Sequence, residues 1–243
     1  MLKGIETGDA AVTKVVNEYK YIQHNPQTHE GSEGLEALFK RLSKTSPRVN
    51  VVRVFEDGDY VFAHTEYDFA SSNIGFEIFR FEDDRAVEHW DNIQRRLGPN
   101  SSGHSMVDGP VDVVDIELTE VNRELVRSFV KNVLIDRRFA QLEDYINGDH
   151  YTQHDPAIAD GMVALREALE AKSGETLLLR YEHNHRILAE GNFVLSMSEG
   201  VFGGKHSAFF NLFRVSGNKL VEHWNTIESI PAHTEWKNDN GKF

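Results

Sequence analysis

Apolar residues recur at every fourth position between residues 119 and 134, at Val121, Leu125, Phe129 and Val133. This spacing predicts one apolar stripe of an amphipathic helix. A second helix is predicted over residues 137–146 and a third near residues 161–171. Runs typical of strands follow, over residues 176–188, 192–202, 206–215 and 219–228. The C-terminal half therefore predicts three helices followed by a meander of strands.

The N-terminal half shows the same order of patterns but begins late. Residues 9–17 occupy the place of the second helix, and only residues 1–6 stand where the first helix should be. The first helix of this half is therefore expected to be short or missing.

Two phrases occur twice and in the same order. YIQHNP (21–26) returns as YTQHDP (151–156), and FRFEDDRAVEHWDNIQ (79–94) returns as FRVSGNKLVEHWNTIE (213–228). Two matches at nearly the same spacing indicate an internal repeat. The chain is therefore predicted to be a tandem duplication.

The duplication predicts two domains, residues 1–97 and residues 119–243. Residues 98–118 are rich in Gly, Pro and Ser and are expected to form a linker over the surface. The second domain includes a C-terminal tail that carries Trp236 and Phe243. We expect Trp236 to be substantially buried, because so apolar a tail is unfavourable in water.

The turn between the last two strands holds Asp84 in one half and Asn218 at the same position of the other. Both residue types tolerate the left-handed backbone that a three-residue hairpin with a bulge requires. Such a turn would set Glu77 opposite Asp91. Without the bulge the register would slip by one residue, and Glu77 would face Trp90.

Composition narrows the classes of function. The 243 residues carry a net charge of −13, which disfavours binding to nucleic acid because that affinity needs clustered Lys and Arg. No run of apolar residues is long enough to suggest a membrane span, and no signal peptide pattern follows Met1. A cytoplasmic protein is expected. The absence of Cys excludes thiolate chemistry and disulfides.

The order of helices and strands, the YxQHxP segments and the VEHW phrase resemble the SnoaL-like polyketide cyclases of the nuclear-transport-factor-2-like superfamily. The first half and the ending EHWNTIESIPAHTEWKNDNGKF are similar to bacterial proteins labelled as SnoaL-like aldol-condensation enzymes. The resemblance implies an α+β fold of two tandem cone-shaped domains. Each would pack about three helices on a curved, mostly antiparallel sheet, with a pocket between them. The superfamily holds enzymes and non-catalytic binders alike.

The resemblance also implies site residues. In the cyclases an Asp on the last strand is the general acid/base, and a polar side chain on the preceding strand assists it. Asp91 and Glu77 match these two positions in the first half, whereas the second half has Asn225 and Asn211. Two carboxyls that face each other in a partly apolar pocket cannot both ionise cheaply, so the pKa of one of them is expected to rise.

Strand alternation adds further candidates, because it places His89 on the same face as Asp91. His24 and His154 either contact substrate or cap the turn before a helix. The candidate catalytic residues are Asp91, Glu77, His24 and His89. The candidate substrate contacts are His64, Glu66, Trp90, His154, Asn211, His223 and Asn225.

Imidazole and carboxylate groups also suit zinc or iron, but no HxxxH, HxH or HExxH spacing occurs in the first half. Neither a metal nor an organic cofactor is expected. The leading hypothesis is an enzyme that moves a proton on a small carbonyl-containing substrate, by aldol-type cyclisation, isomerisation or dehydration. The alternative is a module of the same fold that binds a small ligand or assembles without turnover. The duplicated halves are expected to pair as an intrachain pseudo-dimer through the outer faces of their sheets, and a further homo-oligomer is left open.

Overall fold

The computed structural model describes residues 2–9, 14–45, 47–68, 71–148 and 150–243. Contacts divide the chain into two compact units. Unit 1 is Met1–Arg96 with Ile230–Phe243, and unit 2 is Leu97–Ser229. The tail, which the sequence placed in the second domain, thus packs within unit 1, and the expected linker packs within unit 2. Where the duplicated domains begin and end stays a prediction.

Unit 1 is a five-stranded sheet with helices on one face. Its helices are α1 (Lys3–Thr7) and α2 (Gly31–Leu42), and its strands are β1 (Ile22–Gln23), β2 (Arg48–Asp57), β3 (Tyr60–Asp68), β4 (Ser72–Glu82) and β5 (Arg85–Arg95). The strand order is β1-β5-β4-β3-β2. The short strand β1 runs parallel to β5, and the other pairs are antiparallel. The YIQHNP segment therefore lies along the edge of the last strand.

Helix α2 packs on the sheet through an apolar stripe. Leu35 and Phe39 are buried in a cluster with Tyr67 and Phe79 of the sheet. The helix begins at Gly31, whose φ of 76° lies in the left-handed region that favours glycine. The matching Gly161 of the second repeat has a φ of 91°. This shared backbone requirement explains why both copies of the loop place glycine there.

The predicted register of the last hairpin is confirmed, although the turn differs from the expected one. Glu77 pairs with Asp91 across the β4–β5 ladder. The turn has two residues, Asp83 and Asp84, both with positive φ. The bulge lies further along, at Val87. A tight turn and a separate bulge thus produce the register that a three-residue loop was expected to set.

Unit 2 repeats this sheet. Its strands are β6 (Thr152–Gln153), β7 (Lys172–Ser173), β8 (Thr176–Leu177), β9 (Leu179–Glu190), β10 (Phe193–Phe202), β11 (Lys205–Ser216) and β12 (Lys219–Ser229), and its helices are α3 (Thr119–Phe129), α4 (Leu142–Tyr145) and α5 (Met162–Glu170). The main sheet has the order β6-β12-β11-β10-β9, with β6 parallel to β12. Strands β7 and β8 form a separate hairpin.

The first helix of unit 2 continues past α3 as a π-helical segment, Val130–Ile135. The predicted apolar stripe is only partly right, because Phe129 and Val133 are buried whereas Val121 is 54% exposed. The stripe therefore begins one turn later than the fourfold spacing suggested. In unit 1 the helix predicted over residues 9–17 lies partly outside the described residues. None of the helices in the described parts of the chain is long and apolar enough to cross a membrane.

Candidate active site

The site of unit 1 lies where α2 faces β4 and β5. Glu77 and Asp91 are direct partners across the ladder, and Phe79 pairs with His89 on the same face. All four side chains line a cavity of about 450 Å³. Glu77, His89 and Asp91 are buried. The structure thus gathers two carboxyls and one imidazole, all three of them candidate site residues, at one cavity wall.

Two hydrogen bonds hold the Glu77 carboxyl. The Tyr67 hydroxyl donates to Oε1 at 2.6 Å, and His89 Nε2 lies 2.8 Å from Oε2. Burial, with the nearby Glu77 charge, raises the pKa of Tyr67 well above its usual value, so the hydroxyl stays protonated and remains a donor. Glu77 is therefore bridged between a phenol and an imidazole.

The backbone fixes the tautomer of His89. The Asn25 backbone N–H donates to Gln23 Oε1 at 2.9 Å, which identifies that atom as the oxygen of the amide. His89 Nδ1 lies 3.0 Å from the same oxygen and must donate to it. One proton then lies between His89 Nε2 and Glu77 Oε2.

Asp91 is held differently on its two oxygens. Asn25 Nδ2 donates to Oδ2 at 2.7 Å, and the orientation of this amide is fixed because its oxygen accepts the backbone N–H of Gln27. Oδ1 accepts no hydrogen bond from the described residues. Lys242 Nζ lies 3.5 Å from Oδ1 as an ion-pair contact. One oxygen of Asp91 is thus oriented by a hydrogen bond, and the other has only the ion-pair contact with Lys242.

The C-terminal tail contributes that cation and anchors the loop around residues 23–30. Asn238 Nδ2 donates to the carbonyls of Asn25 and Thr28, and Asn240 Nδ2 donates to the carbonyl of Gln23. Lys242 is buried, whereas Trp236 is only partly buried. The tail is therefore held by polar contacts rather than by the apolar side chain that the sequence singled out.

The family follows from this unit. Residues 2–89 match the family model of the SnoaL-like domain. Unit 1 is a SnoaL-like domain. Unit 2 repeats its strand order, its parallel edge strand and its loop-to-strand contacts. The chain therefore carries two tandem α+β domains of the nuclear-transport-factor-2-like fold.

Several solved structures are similar to this chain over the length of about one unit. TsrD from Streptomyces laurentii is 22% identical, over 37% of this chain and 80% of its own, with a TM-score of 0.34. An epoxide hydrolase of the LEH-like type from M. tuberculosis is 20% identical, over 45% and 84%, with a TM-score of 0.36. A steroid Δ-isomerase from Pseudomonas aeruginosa is 17% identical, over 41% and 74%, with a TM-score of 0.31. No curated protein matches the sequence at a significant level.

Unit 2 builds a similar network from different residues. Asn211 pairs with Asn225 across the β11–β12 ladder, as Glu77 pairs with Asp91. His223 Nε2 lies 3.1 Å from Asn211 Oδ1. Asn211 and Asn225, with His223, line a cavity of about 220 Å³. The predicted second pocket is therefore present, with amides where unit 1 has carboxyls.

Unit 2 nevertheless keeps one carboxyl at this place, which the sequence reasoning missed. Asn225 Nδ2 donates to Asp155 Oδ2 at 2.7 Å, and Asp155 lines the same cavity. Asp155 is the fifth residue of YTQHDP, where YIQHNP has Asn25. Aligning the two hexapeptides shows this difference, but its role depends on the contact between the loop and the last strand.

A tyrosine in each unit was also missed. Tyr67 reaches Glu77 from β3, while the hydroxyl of Tyr181 on β9 hydrogen-bonds the side-chain amide of Asn211 at 3.1 Å. The two tyrosines come from strands that are not equivalent in the repeat. Gly75 makes room in unit 1, because a Cβ there would lie 2.5 Å from Tyr67 Cε2. An alignment of the two halves therefore could not reveal them.

The structure does not bring His24 or Trp90 to the carboxyls. His24 stacks on Trp90 with ring centroids 4.6 Å apart, and its Nε2 lies 2.9 Å from Glu88 Oε1. Glu88 and Trp90 point to the face of β5 opposite Asp91, as strand alternation requires. Burial lowers the pKa of His24, against the opposing contact with Glu88. His154 repeats this arrangement on Trp224 and Glu222.

His64 and Glu66 also lie on the opposite face of their strand. Their partners in the β3–β4 ladder are Phe76 and Ile74, whose side chains point to the face opposite that of Glu77. His64 is buried and accepts a hydrogen bond from Arg53 at 2.7 Å, and Asn50 donates to Glu66 at 2.8 Å. The sequence placed these two on one face correctly, but that face is not the cavity wall.

A metal ion would find two groups of ligand atoms within 4.8 Å of one another. One is Glu77, His89 and Asp91, and the other is His104, Asp108 and His154 in unit 2. Within the first group, His89 Nε2 and Glu77 Oε2 also lie 2.8 Å apart, at hydrogen-bond distance.

Proposed function

We propose that unit 1 is a cofactor-independent enzyme that transfers a proton on a small carbonyl-containing substrate. The observation that supports it is the Oδ1 atom of Asp91, which is buried at the cavity wall and accepts no hydrogen bond from the residues that the structure describes. Asn25 orients the same carboxyl through Oδ2. A general base needs this combination of a fixed position and an oxygen without a hydrogen bond. Lys242 Nζ meets that oxygen only as an ion-pair contact at 3.5 Å.

In this proposal Asp91 removes a proton from the carbon next to the carbonyl. The C–H bond breaks, its electron pair forms the enolate, and the proton passes to Asp91. The proton between His89 and Glu77 is within the same cluster, and in this proposal it shifts from their hydrogen bond to the enolate oxygen as negative charge develops there. Tyr67 and Gln23 keep that pair in place.

Three outcomes then complete the reaction without any further reagent. In an isomerisation, Asp91 returns the proton to another carbon. In an aldol-type cyclisation, the enolate attacks a second carbonyl and the resulting alkoxide takes the proton. In a dehydration, a β-hydroxyl leaves with that proton as water. The largely apolar walls from α2, including Leu35, Leu38 and Phe39, suit a small organic substrate.

Deuterium exchange tests the shared first step before the substrate is known. Small enolisable ketones are incubated in D₂O, and loss of the α-proton signal is followed by NMR. Wild type should exchange the α-protons faster than buffer alone. Asp91→Asn should lower this rate enhancement by about 10²–10⁴-fold. Asp68→Asn, an exposed Asp at the end of β3, is the matched control and should keep it.

Two results would contradict the proposal. Exchange that persists in folded Asp91→Asn would assign the chemistry to another residue. A wild type that exchanges none of the ketones, yet binds them, would favour the alternative of a non-catalytic binding module.

A further inference from the structure

The cavity of unit 2 has no role in the proposed proton transfer, yet its wall holds unsatisfied polar atoms. Tyr151, Asn211 and Asn225 line this cavity of about 220 Å³. Each has one polar atom without a hydrogen-bond partner among the described residues: the hydroxyl of Tyr151, the Nδ2 position of Asn211 and Oδ1 of Asn225. All three residues are buried. A buried polar group without a partner is costly, so a ligand that satisfies these atoms is favoured.

Asn225 presents an acceptor to the cavity. Its Nδ2 donates to Asp155 Oδ2 at 2.7 Å. Because a carboxylate only accepts, the amide orientation is fixed, and the free atom of Asn225 is its carbonyl oxygen.

The orientation of Asn211 follows from the state of His223. The backbone N–H groups of His154 and Asp155 both donate to Gln153 Oε1 at 2.9 Å, which identifies that atom as oxygen. His223 Nδ1 lies 2.9 Å from it and must donate. Burial lowers the pKa of His223 to about 3, so the ring is neutral at pH 7 and Nε2 carries a lone pair.

A neutral Nε2 needs a donor, and the Asn211 amide is the group beside it at 3.1 Å. With the amide oxygen on that side, two acceptors would face each other. A half-turn of the amide exchanges oxygen and nitrogen without changing its shape, and it lets the NH₂ group serve both His223 Nε2 and the hydroxyl oxygen of Tyr181. The Asn211 oxygen then faces the position that lacks a partner. Both amides of the cavity wall therefore present acceptors.

The charged groups at the cavity wall exclude anionic ligands. The Asp155 carboxylate already accepts from Asn225 and from the backbone N–H of Ala157. None of the lining residues in the described chain is Lys or Arg. An anion would therefore meet a carboxylate with no compensating cation. The remaining wall is apolar, with Phe129, Leu165 and Phe213 among its residues.

We propose that unit 2 binds a small uncharged molecule with an apolar body and one hydroxyl, that is, an alcohol or a phenol. Its O–H donates to an amide oxygen of Asn211 or Asn225, and its oxygen accepts from the Tyr151 hydroxyl. The site has an amide, Asn225, at the strand position where unit 1 has Asp91, so it is independent of the proposed proton transfer.

Three probes of similar size test the chemistry: phenol, benzene and benzoate. Binding to the full chain is followed by titration with NMR, reading the backbone amides of residues 151–157 in unit 2 against those of 21–27 in unit 1. Phenol should shift the unit 2 amides and bind about tenfold more tightly than benzene, the equivalent of one net hydrogen bond. Benzoate should not shift them.

Tyr151→Phe removes only a hydroxyl that has no partner within the described chain, so it should preserve the fold. It should weaken phenol binding about tenfold and leave benzene binding unchanged. Asn147→Leu, an exposed Asn outside the cavity, should change neither. Three results would each overturn the proposal. They are the absence of any phenol shift in unit 2, benzoate binding as tight as phenol binding, and phenol binding that Tyr151→Phe does not weaken. None of these outcomes depends on deuterium exchange in unit 1.

Discussion

Asn225 donates a hydrogen bond of 2.7 Å to Asp155. Unit 1 repeats this bond at 2.7 Å between Asn25 and Asp91, with the two residue types exchanged between loop and strand. Each unit thus keeps one amide and one carboxyl between the loop before its helix and its last strand. The contact is shared by the two units, whereas the position of the carboxyl is not.

Exchanging the pair in unit 1 should separate folding from chemistry. Asn25→Asp alone places two carboxyls at hydrogen-bond distance and should destabilise the protein by about 1–3 kcal/mol. Adding Asp91→Asn restores an Asn–Asp pair in the order of unit 2 and should recover most of that stability. The double variant should nevertheless lack deuterium exchange, because the carboxyl no longer lies on β5. Urea unfolding measures the coupling, and strictly additive effects of the two changes would show that the pair is not a unit.

Gly75 should be intolerant of a side chain. A Cβ there would lie 2.5 Å from Tyr67 Cε2 and 2.7 Å from Thr65 Oγ1, so the Tyr67 ring would have to move away from Glu77. Gly75→Ala is expected to cost about 1–3 kcal/mol of stability and to lower the exchange rate. Gly98→Ala is the control, since a Cβ at Gly98 meets nothing within 4 Å. Equal melting temperatures and rates for the two variants would contradict this role.

The sheet of each unit was predictable because its signals are local. Alternating apolar positions define the strands, and a turn with a bulge sets Glu77 opposite Asp91. The same alternation could have excluded His64, since it differs from Tyr67 by an odd number of residues on one strand. The sequence did not show which of the two faces of the strand lines the cavity.

Contacts between distant segments could not be predicted in this way. Lys242 meets Asp91 and Asn238 meets Asn25 across most of the chain length, and no periodicity links them. The exchange of Asn25 and Asp155 also becomes meaningful only once the loop is known to contact the last strand. Hydrogen bonds of this kind depend on tertiary structure, which a repeat alone does not define.

Acid should destabilise unit 2 through His223. Its pKa falls from 6.5 to about 3 on burial, so between these values the unfolded chain binds a proton that the folded chain does not. Stability should therefore be complete above pH 6.5 and decrease as the pH falls toward 3, by on the order of a few kcal/mol. His223→Gln should be less stable at pH 7 but should lose less on acidification. Urea unfolding at pH 7, 6, 5 and 4 compares the two, and parallel curves would contradict the assignment.

Lys242 should matter through the charge it brings to Asp91. Both side chains are buried, and Nζ lies 3.5 Å from Oδ1. Lys242→Met keeps most of the side-chain volume but leaves the buried carboxylate without this cation, which should cost about 3–5 kcal/mol. Adding Asp91→Asn removes the charge that was left behind, so the double variant should be more stable than Lys242→Met alone. Lys40→Met, at an exposed position of α2, is the control for a lost surface charge and should have little effect. If Lys242→Met is as harmless as Lys40→Met, the ammonium does not compensate Asp91, and the tail acts on unit 1 only through its hydrogen bonds to the loop.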